Sequence, residues 1–278
     1  MSGPFDYSGK TVFIAGGTSG INLGVAHAFA KAGAKLAVIS RKQDKVDAAV
    51  AALKTHGGEA IGYAVDVRDY AAVETAFKET RSRLGDIDVL ISGAAGNFPA
   101  PALGISPNGF KSVVDIDLLG TFHVLRSAFP YLNKPGASIV NISAPQAYIP
   151  MEFQMHVCAA KAGVDMVTRV AAMEWAAAGV RINSVTPGPI DGTEGMDRLA
   201  PNEATRKLVA ESVPLGHFGN TDDIANACLW LSSPLARYVT GVVLPVDGGW
   251  SLGGLSVSSA GMKKAFMSAA AGAAKTGE

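Results

Sequence analysis

The chain has 278 residues, 48% of them hydrophobic and 7% aromatic, with 32 glycines. Its 24 Lys and Arg balance 24 Asp and Glu, so no global field draws it to nucleic acid or an anionic membrane, and neither is expected as a partner. Any anionic ligand must be met by local groups.

No apolar run is long and uninterrupted enough to span a bilayer, and the opening Met-Ser-Gly-Pro-Phe-Asp-Tyr lacks a secretory pattern. The closing Lys-Thr-Gly-Glu is not a peroxisomal address. Cys158 and Cys228 fall in helical patterns without metal-ligand spacing and read as reduced thiols. The five histidines are scattered, so no metal site is expected. Together these features predict a cytoplasmic protein.

In chain order, Lys10–Ala15 reads as a strand, Ile21–Ala32 as a helix, Lys35–Ile39 as a strand and Asp44–Thr55 as a helix. Ala60–Val65 and Val89–Ser92 are further strands flanking the helical Ala71–Leu84. Pro107–Leu132 reads as one long helix, Ser138–Ile142 as a strand and Gln154–Ala177 as a second long helix. Arg181–Val185 and Val242–Val246 complete the strands, with helices near Glu203–Glu211 and Asp222–Leu231 between them. This alternation predicts a single-domain α/β fold, a doubly wound parallel sheet with helices on both faces. The domain spans 1–255 and includes a substrate lid. The Ala, Gly and Ser-rich stretch 256–278 reads as a tail.

Gly16-Gly-Thr-Ser-Gly20 follows the first strand and opens a helix, the context in which a glycine-rich turn binds a dinucleotide pyrophosphate. Thr18 and Ser19 add hydroxyl donors. Asn22 stands where a third glycine is expected; it tolerates left-handed backbone angles but adds bulk near the cofactor. After the second strand come Ser40-Arg41-Lys42 rather than an acidic residue, which favours a ribose 2′-phosphate and hence NADPH over NADH. Asp66-Val67 closes the third strand, where a carboxylate accepts from the adenine amino group or caps the next helix.

Gly16–Gly20, Asp66, Gly93-Ala-Ala-Gly96, Lys161, Pro187-Gly-Pro and Asp247-Gly-Gly together resemble the short-chain dehydrogenase/reductase family over nearly the whole chain. The resemblance implies a Rossmann-like sheet, a homotetramer and cofactor contacts from Gly16, Thr18, Ser19, Gly20, Ile21, Arg41, Asp66, Val67, Lys161, Pro187, Gly188, Ile190 and Thr193. Most members use a Ser, a Tyr and a Lys, the Lys cation lowering the phenol pKa for proton exchange with a carbonyl oxygen. Here Lys161 is kept, but Val157 replaces the Tyr and Ala144 the Ser, while Asp117 stands in place of the usual Asn. Carbonyl chemistry by the usual route is therefore not expected.

The same departures resemble the 2,4-dienoyl-CoA reductase branch, through Ala94-Ala-Gly-Asn-Phe98, Val114-Asp-Ile-Asp117, His156–Lys161 and Pro187–Gly195. That branch sends a hydride from NADPH to the δ carbon of a conjugated thioester and a proton to the α carbon, giving a 3-enoyl product. The thioester oxygen needs hydrogen-bond donors but no net protonation, so a phenol is dispensable. The resemblance implies catalytic Asp117 and Lys161, and substrate contacts from Arg68, Asn97, Phe98, Ser106, Asn108, Ser143 and Arg198. Which of Asn97, Ser143 or a ribose hydroxyl stabilises the oxygen stays open at this level. So do two other readings, a reductase of a different activated alkene or carbonyl compound and an inactive NADP-binding protein. His156 faces either the site or a neighbouring subunit.

Overall fold

The computed structural model describes residues 3–253; the predicted tail at 256–278 lies outside them. Seven strands form one parallel sheet: β1 (Thr11–Ala15), β2 (Lys35–Ser40), β3 (Ala60–Ala64), β4 (Val89–Ser92), β5 (Ser138–Ile142), β6 (Arg181–Pro187) and β7 (Val243–Val246). Their order across the sheet is β3-β2-β1-β4-β5-β6-β7. The chain leaves β1 toward one edge and returns at β4 toward the other. That reversal opens a crevice at the carboxyl ends of the strands, where open α/β sheets hold their ligands.

Period-2 alternation explains how the strands bury both faces. In β1, Val12 and Ile14 enter one core with Val25 and Phe29 of α1 (Gly20–Lys31), Leu53 of α2 (Gln43–Lys54) and Ile224 of α9 (Thr221–Ser232). Phe13 and Ala15 enter the opposite core with Phe77 of α3 (Tyr70–Leu84), Leu125 of α5 (Gly120–Ala128) and Ala172 of α6 (Met155–Trp175). Phe13 and Phe77 stack with ring centroids 4.0 Å apart. Both are fully buried, so truncating either to Ala is expected to cost about 3–5 kcal/mol.

The long helix expected over Pro107–Leu132 is broken. It divides into α4 (Pro107–Val113), a π-helical segment (Val114–Leu119), α5 and a short 3₁₀ turn. Just past the π segment Gly120 packs tightly, and a Cβ there would lie 2.6 Å from Val67 Cγ2. The π segment carries Asp117 inward, and such bulges concentrate at functional sites. Two short helices, α7 (Glu194–Leu199) and α8 (Glu203–Ser212), follow β6 over the crevice. α7 was not anticipated, since six residues are too few for an apolar period to stand out.

The other elements end within a residue or two of their predicted bounds. Among the described residues no helix is long and apolar enough to cross a membrane, and no group of three or more metal-ligating side chains occurs. Cys228 is fully buried, which pushes its thiol pKa up to about 12. The histidines are less scattered than their spacing suggests: His27 Nδ1 and His56 Nε2 stand 2.9 Å apart across α1 and the end of α2.

Candidate active site

A cleft of about 760 Å³ runs along the carboxyl ends of the strands from the β1–α1 turn to α7. The turn takes its shape from glycine. Gly16 and Gly20 have φ of +78° and +53°, and a Cβ on Gly16 would lie 2.9 Å from the Ala94 backbone. Ser19, the N-cap of α1, makes no side-chain capping bond, and the first turn carries no acidic residue. The unpaired N–H groups and positive dipole end therefore stay available to an anion. Gly16, Thr18, Ser19, Gly20 and Ile21 all line the cleft. These features fit a dinucleotide pyrophosphate.

Asn22 has a different role from the one its position suggests. It adopts no left-handed angle. Its Nδ2 donates to the Gly93 carbonyl at 2.8 Å and the Gly16 carbonyl at 3.4 Å, clamping the turn to the end of β4. A Cβ on Gly93 would meet that side chain at 2.5 Å. The bulk is taken up by a hydrogen-bonded clamp.

Beyond β2, Arg41 and Lys42 line the cleft and are joined by Lys45 from the first turn of α2, a cation sequence reasoning missed. Asp66 and Val67 also line it. The Asp66 carboxylate is already engaged by Arg68, whose backbone N–H, Nε and Nη2 all donate to it. This pairing holds the Asp66 carboxyl below the usual range. Arg68 itself is not a lining residue. On the far wall Pro187, Gly188, Ile190 and Thr193 line the cleft, and Gly188 is forced by Asp247, whose Cα a Cβ there would approach to 2.6 Å.

The inner end is built by β5, α6 and the π segment. Lys161 lines the cleft yet is only 6% exposed. Its Nζ donates to the Ile142 carbonyl at 3.0 Å and stands 3.4 Å from Asp117 Oδ2. The other Asp117 oxygen accepts the Gly96 N–H at 2.7 Å. Asp117 thus sits 1% exposed behind the cleft wall, fixing both the Lys161 ammonium and the β4–α4 loop.

The predicted substrate residues divide. Asn97, Ser143 and Arg198 line the cleft. Arg198 Nη1 donates to the Asn97 carbonyl at 2.7 Å, tying α7 to the opposite lip. Phe98, Ser106 and Asn108 lie outside the lining: Phe98 packs edge-on against His156 with centroids 4.5 Å apart, and Ser106 caps α4 by accepting the Gly109 N–H. Ser143 Oγ is buried without a hydrogen bond. It faces Asp165, whose carboxyl burial pushes up while the Ser143 and Ser184 hydroxyls oppose that rise. His156 is fully buried against Phe98, which lowers its pKa. Sequence reasoning missed Met151, Gln154 and Trp250, which close this end; they come from a loop, a helix cap and the short 3₁₀ helix that follows β7, with no shared motif.

A doubly wound sheet with this turn, cation cluster and Lys–Asp pair defines a nicotinamide-dependent oxidoreductase. The family model described as Enoyl-(Acyl carrier protein) reductase matches residues 15–251, and the chain belongs to the short-chain dehydrogenase/reductase family. It is 42% identical to the peroxisomal 2,4-dienoyl-CoA reductase [(3E)-enoyl-CoA-producing] of Arabidopsis thaliana over 262 residues, covering 90% of this chain and 88% of that one. It is 43% identical to the enzyme of the same description from Rattus norvegicus, covering 86% and 83%. Among solved structures, the citronellol catabolism dehydrogenase of Pseudomonas aeruginosa PAO1 superimposes with a TM-score of 0.78 at 35% identity, covering 90% and 98%. The cytoplasmic setting expected above is corrected by these relatives, since the plant and rat enzymes are peroxisomal.

Proposed function

We propose that the protein reduces a 2,4-dienoyl-CoA thioester with NADPH to a 3-enoyl-CoA. The observation that carries this reading is a buried Lys161–Asp117 pair beside a cleft whose usual hydroxyl positions are Ala144 and Val157. NADPH, when bound, supplies the hydride that reaches the δ carbon. Electron density then moves to the thioester oxygen, and a proton must reach the α carbon. Gly16, Thr18, Ser19, Gly20 and Ile21 hold the pyrophosphate, with Pro187, Gly188, Ile190 and Thr193 on the opposite wall. Arg41, Lys42 and Lys45 meet the 2′-phosphate, and Asp66 and Val67 the adenine. Lys161 orients the nicotinamide ribose, and Asp117 holds its ammonium in place. The proton for the α carbon is passed from this pair through water.

Arg198 on the lip is the cation for the phosphates of the CoA. It releases Asn97 as they enter. Arg68, Phe98, Ser106 and Asn108, outside the lining, serve an acyl or CoA portion that extends past the lip.

The chain acts as a homotetramer. Met166, Val170 and Met173 on α6, with Phe122 on α5, leave a large apolar face exposed, and a symmetric partner would cover it.

The test is to mix purified protein with NADPH and a 2,4-dienoyl-CoA and follow loss of cofactor and diene absorbance together. Stoichiometric loss of both, with a 3-enoyl product, is expected. Brisk oxidation of simple alcohols with dienoyl esters untouched would overturn the reading. Sedimentation of wild type against Met173→Asp checks the assembly.

A further inference from the structure

Reduction of a conjugated thioester places negative charge on its oxygen, and both positions that usually carry a hydroxyl there are apolar in this chain. The cleft walls formed by β5 and α6 must therefore supply a donor from elsewhere. Most polar side chains at this end are already engaged. Ser143 lacks a hydrogen bond, but its hydroxyl is fully buried beside Asp165, whose carboxyl is the acceptor nearest to it in the wall. Gln146 Nε2 donates to Met151 Sδ at 3.4 Å. Lys161 is held by the Ile142 carbonyl and Asp117. Asn97 is exposed, on a lip tied by Arg198.

Gln154 differs from all of these. It lines the cleft and is 4% exposed, and its Oε1 is buried without any hydrogen bond. The oxygen is an acceptor turned into the wall; the Nε2 amide nitrogen makes no hydrogen bond among the described residues and is not among the fully buried atoms, so it is the donor that is left open to the cleft. Its backbone is also fixed. Phe153, immediately before it, is the one described non-glycine residue with positive φ, at 67°. The Phe153 carbonyl accepts the Ala100 N–H at 3.0 Å, which ties this strained residue to the opposite lip. Gln154 then serves as the N-cap residue of α6 while making no side-chain capping bond. Strain held in place by a long-range bond, next to an uncommitted buried amide, is the signature of a preorganised group.

We propose that the Gln154 side-chain amide donates a hydrogen bond to the thioester oxygen of the bound acyl substrate, the role that Ala144 and Val157 leave vacant. This rests on the dienoyl-thioester reading above. A carboxamide offers two N–H donors and no exchangeable charge. It stabilises the oxygen as electron density arrives but cannot protonate it, so the proton is left for the α carbon. Burial makes the donor stronger than an exposed Asn97 would be, because little water competes.

The decisive variant is Gln154→Met, which keeps length and volume but removes the donor. With NADPH and a dienoyl-CoA, kcat is expected to fall on the order of 100-fold, as for loss of one oxyanion donor, with KM within about threefold. The melting temperature should hold or rise, because an unsatisfied buried polar atom has been removed. A calorimetric readout without turnover separates hydrogen bonding from packing. Gln154→Met should weaken a saturated acyl-CoA thioester by about threefold, the size of one modest ground-state hydrogen bond, while leaving the matching alkyl thioether, which lacks the oxygen, unaffected. Unchanged kcat, or equal weakening of thioester and thioether, would overturn the assignment. Wild-type protein inert toward dienoyl thioesters would overturn the underlying reading, and this one with it, whereas an active wild type with an indifferent variant removes only the Gln154 role.

Discussion

At the proposed nucleotide end the cleft takes its shape from backbone, the glycine turn, the uncapped first turn of α1 and the Pro187-Gly188 bend, with Arg41, Lys42 and Lys45 along its rim. At the proposed acyl end the lining groups are side chains drawn from the β4–α4 loop, β5, the start of α6, α7 and the turn after β7. Backbone recognition needs a conformation, and a conformation needs particular residues at consecutive positions. Side-chain recognition needs only that distant segments meet. The first kind of site is stiff and generic; the second can change its chemistry while the fold stays fixed, which is how the hydroxyls at 144 and 157 could be lost here without loss of the framework.

The hardest blow to the nucleotide end is Gly16→Val. A Cβ at that position meets the Ala94 Cα and N at 2.9 Å, and the residue must keep a φ of +78°. Backbone rather than a flexible side chain stands in the way. NADPH affinity should fall more than about 100-fold, with a stability loss of about 3–5 kcal/mol. Fluorescence titration with NADPH and urea unfolding measure the two. Near-normal binding would mean that the turn is more plastic than its contacts imply.

The matching blow to the acyl end is Asp117→Ala. Removing this carboxylate leaves the buried Lys161 ammonium without its counter-charge and the Gly96 N–H without its acceptor. Breaking such a buried pair from one side costs about 3–5 kcal/mol. Asp117→Asn keeps an acceptor for Gly96 and should recover much of that stability. Turnover should fall by about 10-fold or more in both variants, while NADPH still binds. An Asn variant with full activity would reduce Asp117 to a packing role.

The contrast also explains what could be read from the chain before its structure. Strand and helix order was legible because apolar periodicity is local, and the phosphate turn because Gly16–Gly20 are consecutive. The loss of hydroxyls at 144 and 157 was legible against a fixed spacing from Lys161. The break in Pro107–Leu132 was not, since an apolar period does not distinguish an α turn from the π segment Val114–Leu119 within it. Gln154 was invisible too: nothing near it in sequence reveals that its amide is buried in the cleft. The pairing of Arg68 with Asp66, two residues away, was not legible either, since it depends on how the turn after β3 folds.

A smaller effect is expected from Arg41→Ala. Three cations share that rim, Arg41, Lys42 and Lys45, so one deletion leaves two. NADPH should weaken about 10-fold and NADH hardly at all, because a partly exposed charge on a phosphate contributes roughly 1–2 kcal/mol. Equal weakening of both cofactors would place Arg41 on the shared adenosine portion. A second deletion, at Lys45, should then add to the first if the two meet the same phosphate.

The mildest test concerns the wall behind the acyl end. Asp165 is 3% exposed, with Ser143, Ser184, Arg169 and Lys161 as its polar surroundings. Burial is the dominant influence and raises its pKa, against the lesser opposing pull of the two hydroxyls and the two cations. A carboxyl with a higher pKa folded than unfolded binds protons more tightly in the folded state. Its contribution is therefore fully present below the unfolded value, near 4, and is lost as pH rises toward and through the folded value. Asp165→Asn removes that dependence. Thermal unfolding should show the variant a few degrees more stable than wild type at pH 8, about 2–4 °C for each kcal/mol relieved, with the gain vanishing near pH 4. A variant less stable at both pH values would mean that the ionised carboxylate is the form this wall was built to hold, and that the cations at Lys161 and Arg169 outweigh burial.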